Sequence, residues 1–529
     1  MAETPTSVEA EAPRRSGAGA ILVGAGILLS RVFGLVRQRV FGHFLGTSAA
    51  ADAYTAALRI PNFLQNLLGE GVLSASFIPV YASLKGDEAR RVAGAIAGLL
   101  GVVTGLFTLG GIAATPLLID LIAPGFTGDT RALAVRLVQI FFPGVALLVA
   151  SAFCLGVLNS HRRFFLSYAA PVLWNAAIIA ALIYGGVELR LGPFPLAVAA
   201  AWGMVAGSAL QLAVQVPSVL RLLGGPRAAL GSLSLGRKNP HASAVVRSFL
   251  PVLAGRGVVQ ISAYVDTFIA SWLPVGALAS IQYAQTIYLL PISLFGMSVS
   301  AAALPEMSEQ RGEALRAELE RGLRRIAFTV VPTAVGFVAL GDVICAALYQ
   351  TGRFGPDDVR FAAAILAGYT LGLLASTSSR LYSSSFYALR DTRTPLRFAA
   401  VRVAVSSALG AAAALWLPGA LRIEARWGAV GLAVAAALGA WLELWLLRRR
   451  ACDAVGPAGS RQWQLWASAL LAAAAAWGVR LALPEALRRP WPQAALVLGA
   501  FGGVYFAAAL ALRVPEARAM LERIQRRRR

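Results

Sequence analysis

Lysine is almost missing from this 529-residue chain: Lys85 and Lys238 stand alone beside the arginines that make up the rest of its 48 basic residues. Histidine is held to three residues, His43, His161 and His241, each isolated near the end of an apolar run. The three cysteines, Cys154, Cys345 and Cys452, lack metal-type spacing, and two of them fall inside apolar runs where a thiol acts as a small hydrophobe. These scarcities exclude a disulfide framework and a histidine or cysteine metal centre as organising features, so no metal site and no cofactor is expected. Charged residues make up only 14% of the chain. No segment between apolar runs is large enough to carry the exposed carboxylates or metal cluster that a membrane glycosyl- or phosphotransferase needs. The paired acids Asp357 and Asp358 read as the solvated start of a helix. No catalytic residue is expected, and the protein is not read as an enzyme.

What is abundant is apolar surface. Hydrophobic residues form 57% of the chain and mean hydropathy is +0.66, so burying this surface requires lipid as solvent. Apolar windows long enough to cross a hydrocarbon core, about 20 residues each, fall near 18–42, 50–82, 92–122, 132–158, 164–186, 194–222, 242–273, 276–304, 324–349, 359–388, 395–417, 427–447, 462–483 and 492–512. The expectation is an all-α polytopic membrane protein with about 14 transmembrane helices. The stretch 1–16 is polar and holds Glu3, Glu9 and Glu11, unlike a cleavable signal peptide, so the first apolar run is expected to stay in the membrane.

The net charge of +22 is scattered through short loops, not gathered on one face, which argues against nucleic acid as a partner. The cations alternate instead. Lys85, Arg90 and Arg91, then Arg162 and Arg163, Arg227, Arg237 and Lys238, Arg321 to Arg325, Arg390 and Arg393, Arg448 to Arg450, and Arg526 to Arg529 all fall on one side. The positive-inside rule makes that side cytoplasmic, with both termini there and the protein in the bacterial inner membrane.

A faint repeat divides the chain. SASFIP at 74–79 resembles SAAALP at 300–305, and NSHRR at 159–163 has a counterpart in RDTR at 390–393 at nearly the same offset. Two pseudo-symmetric six-helix lobes are expected, a transporter signature. The boundaries are a cytoplasmic N-terminal tail at 1–17, an N-lobe at 18–222, a linker at 223–241, a C-lobe at 242–447, a further helix pair at 462–512 and a basic tail at 513–529.

Ionisable residues inside apolar windows are site candidates by default, because a charge at the bilayer centre costs at least about 2.5–3.5 kcal/mol on insertion scales. Arg31, Arg37, Asp52, Arg59 and Glu70 stand out. Asp52, Arg59 and Asn66 recur every seven residues and form one polar stripe, expected to line a cavity; Pro61 and Gly69 interrupt the same segment as in a gating helix. Arg31 and Arg37 are six residues apart, about 240° around a helix, so one faces cargo while the other snorkels. In the seventh window Arg256, Gln260 and Asp266 supply the opposite wall, or an Arg–Asp pair that holds helices together. Arg380 and Arg402 are further candidates of lower rank, the first close enough to a helix end to snorkel. Arginines bind phosphate in a planar fork, so the expected cargo is anionic.

Taken together, SRVFGLVR at 30–37, DAY at 52–54, RIPN at 59–62 and EGVLSASFIP at 70–79 resemble the N-terminal signature of the MurJ (MviN) lipid II flippases. The resemblance continues through QIS at 260–262, YA at 283–284, Gly296 and LP at 304–305. It implies the multidrug/oligosaccharidyl-lipid/polysaccharide exporter fold, two lobes around a cationic cavity, and a groove for the polyprenyl tail at 462–512. It implies that Arg31, Arg37 and Asp52 bind cargo; from their place inside apolar windows Arg59 is expected to join them, Arg256 to compensate for an eighth-window cation this chain lacks, and Asn62, Gln65, Asn66, Glu70, Gln260 and Asp266 to gate or line the cavity. The implied partners are lipid II, membrane lipids and cell-wall synthesis proteins. The implied energy source is a coupling ion, sodium or a proton, or the membrane potential. Two positions depart from the family pattern: Gln65 stands where its best-known branch has arginine, and so does the stretch AQT at 284–286. The rival is a flippase for another polyprenyl-linked glycan or a multidrug exporter of the same superfamily, against which the N-terminal signature discriminates.

Overall fold

The computed structural model describes residues 15–68, 70–236, 239–310, 312–455 and 462–528. Along the chain run α1 (Arg15–Leu45), α2 (Ala49–Leu68), α3 (Glu70–Ala82), α4 (Gly86–Ile122), α5 (Gly128–Ser160), α6 (Phe164–Ala169), α7 (Pro171–Ile183), α8 (Pro193–Leu222), α9 (Pro226–Gly231) and α10 (Pro240–Ala270). They are followed by α11 (Ala277–Pro291), α12 (Ser298–Glu309), α13 (Gly312–Tyr349), α14 (Pro356–Thr370), α15 (Leu373–Ala388), α16 (Arg393–Leu415), α17 (Leu417–Ala420), α18 (Gly428–Val455), α19 (Trp463–Ala482), α20 (Pro490–Ala511) and α21 (Pro515–Arg528). A π-helical turn, Tyr184–Glu188, extends α7, and a second, Ile292–Met297, joins α11 to α12.

The all-α expectation holds, and each of the fourteen predicted windows is occupied by helix. Among the described residues, 11 helices are long and apolar enough to cross a membrane. The other three windows hold α1, α2 with α3, and α10, the segments that carry Arg31, Asp52, Arg59 and Asp266. Lipid-facing surface is evident on α4, where Leu109 and Leu117 are 70% and 71% exposed. Such an apolar face needs a non-aqueous surrounding. Exposed Trp463 and Trp491 at the starts of α19 and α20 and Trp477 near the end of α19 sit where interfacial aromatic belts form.

The chain divides into two compact units, one of Met1–Val40, Ile60–Thr115 and Val135–Gly257, the other of Phe41–Arg59, Pro116–Ala134 and Val258–Arg529. By contacts the long C-terminal part of the second unit begins within α10. The second unit also takes in the α1–α2 turn, held there by side chains described below, and the α4–α5 turn, where the Gly125 N–H donates to Ser271 Oγ at 3.1 Å.

In the first unit, Leu73, Phe77, Phe153, Val157 and Leu158 build the core. Helices α7 and α8 approach closely because a Cβ at Gly207 would sit 2.8 Å from the Trp174 carbonyl oxygen, the small-residue packing that replaces hydrophobic driving force in lipid. Polar side chains join α5 to α8: Gln211 Nε2 donates to Ser151 Oγ at 2.9 Å, and Ser151 Oγ donates to Gln215 Oε1 at 3.2 Å.

In the second unit, Met307, Leu315, Leu319, Ile326, Leu373 and Leu381 form the core of α12, α13 and α15. The α13 helix breaks at Leu340 (φ −128°, ψ 17°). The freed Ala339 carbonyl accepts from Trp477 Nε1 at 3.1 Å, and Arg480 forks onto Asp342 at 2.6 and 3.2 Å. Helix α19 thus fastens the break, in keeping with the rule that a kink persists where neighbours satisfy the freed backbone groups.

The turns at 159–163 and 390–393 close alike, as do those at Arg422 and Arg513. Arg162 (φ 58°) and Arg390 (φ 61°) are both left-handed at a helix end. Each helix closes the same way, through Arg162 N to Asn159 O and Arg163 N to Leu158 O, and through Arg390 N to Tyr387 O and Asp391 N to Phe386 O. That pairing of bonds around a left-handed residue is a C-terminal cap more often built on glycine.

Candidate functional site

The second unit grips the α1–α2 turn from three sides. His43 Nδ1 lies 2.8 Å from Thr351 Oγ1, the His43 carbonyl accepts from Arg353 N at 2.9 Å, and Thr47 Oγ1 donates to Asp358 Oδ1 at 2.6 Å. Asp358 also caps α14, accepting from Gly355 N at 2.8 Å, which bears out the helix start read from Asp357 and Asp358. Tyr283 OH donates to the Gly46 carbonyl at 2.9 Å within a cluster of Phe41, Tyr54, Tyr349 and Phe354.

Asp52 closes the third side. It is 4% exposed, and its two oxygens accept from the backbone N–H groups of Gly276 (2.6 Å) and Ala279 (2.7 Å). Gly276 is the N-cap of α11 in a left-handed conformation and has no side chain with which to cap. Asp52 supplies the cap from another helix, meeting both the free amides and the positive end of the dipole. Both carboxylate oxygens are thus bonded to backbone, and Asp52 clamps the start of α11 to the α1–α2 turn.

Two members of the seven-residue stripe meet α11. Asp52 meets α11 at Gly276 and Ala279, and Arg59 Nη2 donates to Gln285 Oε1 at 3.4 Å. These two stripe members therefore lie along a seam with α11. Around Arg59 the polar groups form a chain. Tyr264 OH donates to the Arg59 carbonyl at 3.0 Å, and Gln285 Nε2 donates to Tyr369 OH at 2.9 Å. Asp266 is half-buried, and the cations acting on it are Arg59 and Arg402. Among the described residues Arg59 Nε is buried without a hydrogen-bond partner, which leaves this arginine donor capacity. Sequence reading had singled out Arg59 and Asp266 but not Gln285, Tyr264, Tyr288 or Tyr369, whose signal was only a polar atom in an apolar window.

In the first unit, α1 carries Arg31 exposed and Arg37 half-buried, the Arg37 guanidinium standing 4.8 Å over the Trp174 ring. The different burial of the two agrees with their six-residue spacing. Asn62, just after Pro61, is exposed, and Gln65 is half-buried. The side chains of Asn66, Glu70, Arg256 and Gln260 lie outside the described residues.

Guanidiniums and hydroxyls carried inside apolar helices suit binding of an anionic group. Comparison with known proteins places the chain. The family model for "Lipid II flippase MurJ" matches residues 41–502. The chain is 34% identical over 406 residues to a probable lipid II flippase MurJ of Rhizobium tropici, covering 74% of each. It is 31% identical over 382 residues to the lipid II flippase MurJ of Burkholderia cenocepacia, covering 70% of this chain and 73% of that one. A solved structure of a lipid II flippase MurJ in an inward closed conformation superposes with TM-score 0.76 at 22% identity, covering 93% of this chain and 99% of that one. An inward-facing multidrug resistance transporter of the MATE family in the MOP superfamily follows at TM-score 0.66 and 15% identity, covering 82% and 98%. The last two show that the chain shares their fold, and by the family match across residues 41–502 the chain belongs to the lipid II flippase MurJ family.

Proposed function

We propose that this protein moves the lipid-linked peptidoglycan precursor, lipid II, from the cytoplasmic to the outer leaflet by alternating access, with cationic side chains at membrane depth holding the pyrophosphate. The observation that carries the reading is the family match across residues 41–502 on a chain with arginines inside its membrane helices. Arg31, Arg37, Arg59 and Arg256 are the proposed cargo cations, since a guanidinium replaces the water that a phosphate leaves behind. Asn62, Gln65, Asn66, Glu70, Gln260 and Asp266 are the proposed gating or lining groups. No covalent bond of the cargo changes, so the protein acts as a transporter and not as an enzyme. It sits in the bacterial inner membrane with both termini cytoplasmic, as the alternation of arginine-rich loops supports. A coupling ion, sodium or a proton, or the membrane potential sets the direction. Helices α19 and α20 take the polyprenyl tail, and cell-wall synthesis proteins receive the cargo.

The test is translocation of fluorescent lipid II in proteoliposomes holding the full chain. Transfer between leaflets that Arg59→Ala slows supports the reading; absence of transfer by well-folded wild-type protein contradicts it.

A further inference from the structure

Beyond the groups already assigned, the second unit carries two more arginines well inside its helices. Arg380 lies eight residues before the end of α15, about 12 Å of helix. Arg402 lies nine residues after the start of α16, about 13 Å. Arg402 is oriented by Glu443 of α18, its Nη1 donating to Glu443 Oε2 at 2.8 Å. Arg380 has no carboxylate within ion-pair distance among the described residues, and it is exposed. With Asp266, on which Arg59 and Arg402 act, the polar cluster holds three cations, Arg59, Arg380 and Arg402, against two carboxylates, Glu443 and Asp266, among the described residues. Arg402, Tyr288 and Glu443 are the neighbours that act on Arg380 electrostatically. Two guanidiniums in mutual repulsion at membrane depth are costly unless an anion joins them.

The surroundings are built for a polar guest. One turn before Arg380, Ser376 Oγ lies 3.1 Å from Tyr288 OH, and i,i+4 spacing puts Ser376 and Arg380 on one face. The Tyr288 ring packs on Tyr369 at 5.4 Å between centroids, Tyr369 OH accepts from Gln285, and Gln285 accepts from Arg59. A continuous polar track therefore leads from Arg59 to Arg380 within one unit.

We propose that Arg380 and Arg402, with Tyr288 beside them, form a second oxyanion subsite that holds a phosphate or carboxylate of the same cargo that meets Arg59. The proposal rests on the transport reading above. Glu443 fixes Arg402 and leaves part of its donor fork free, while Arg380 brings the unmatched charge, an arrangement suited to a planar or tetrahedral oxyanion.

The test is equilibrium binding to the full-length protein in nanodiscs with two probes, undecaprenyl pyrophosphate and complete lipid II. Arg380→Ala is expected to weaken lipid II binding about tenfold, the scale of one lost charge-assisted contact. Loss with both probes assigns the subsite to phosphate; loss with lipid II alone assigns it to the peptide carboxylates; equal binding of both probes by wild-type and Arg380→Ala protein overturns the subsite while leaving the transport reading intact. Wild-type protein that binds neither probe overturns the transport reading and the subsite together. Should Arg380→Ala fail to fold, Arg380→Lys carries the test, with a smaller loss expected because charge is kept and the fork is removed.

Discussion

Asp52 holds the amide of Gly276 at 2.6 Å, joining the first turn of α2 to the start of α11 across 224 residues of chain. Neither partner suffices alone. Gly276 turns the chain with a left-handed φ of 91°, which glycine adopts freely, but it brings no oxygen to cap the helix it begins. The aspartate brings that oxygen and in doing so ties the α1–α2 turn to α11.

Replacing Asp52 by alanine removes the cap and leaves buried amides without acceptors. The expected loss is about 1–2 kcal/mol, read as a lower unfolding midpoint of the purified protein. Asp52→Asn keeps an acceptor and is expected to lose less. A variant Asp52→Ala as stable as wild type contradicts the clamp.

Gly276→Ala is expected to destabilise on two counts. An alanine is strained in the left-handed region by about 1–2 kcal/mol, and its Cβ would sit 2.5 Å from the Thr47 carbonyl oxygen. The measurement is the same unfolding midpoint, and the drop should exceed that of Asp52→Asn.

The helices were legible in the sequence because each apolar window has only one way to satisfy its backbone in lipid. The stripe of Asp52 and Arg59 was legible as a face, since seven residues nearly close two turns. What that face meets was not. Periodicity gives a direction around one helix but does not say whether water or another helix lies there, and the α11 N-terminus that consumes Asp52 is 224 residues away in sequence. The polar chain through Gln285, Tyr264 and Tyr369 was hidden for a related reason: tyrosine reads as an aromatic in an apolar run until its hydroxyl finds a partner.

At Arg390 the chain accepts a left-handed conformation with a non-glycine residue (φ 61°). Arg390→Gly is therefore expected to be neutral or to stabilise by up to about 1 kcal/mol, whereas Arg390→Val should destabilise, because a β-branched side chain is the least tolerated there. Unfolding midpoints of the two variants check the order.

Asp391, in the turn between α15 and α16, accepts from Thr394 Oγ1 at 2.6 Å and from the amides of Thr394 and Arg393 at 3.0 Å. The Thr394 hydroxyl first, and the two amides with it, hold its carboxyl below the ordinary range. A carboxylate with a lowered folded-state pKa stabilises above its unfolded value, about 3.9, and loses that contribution as pH falls through the folded value. The stability difference between wild type and Asp391→Asn is thus expected to be present at pH 7 and to shrink below about pH 4; a difference independent of pH contradicts this assignment.

The most direct measurement for the whole account is rescue of bacteria depleted of their own lipid II flippase. The wild-type chain is expected to restore growth and cell shape, and Arg31→Ala, expressed to the same level, to fail. A well-expressed wild-type chain that does not rescue contradicts the proposed cargo, and rescue that survives Arg31→Ala contradicts the role given to that arginine.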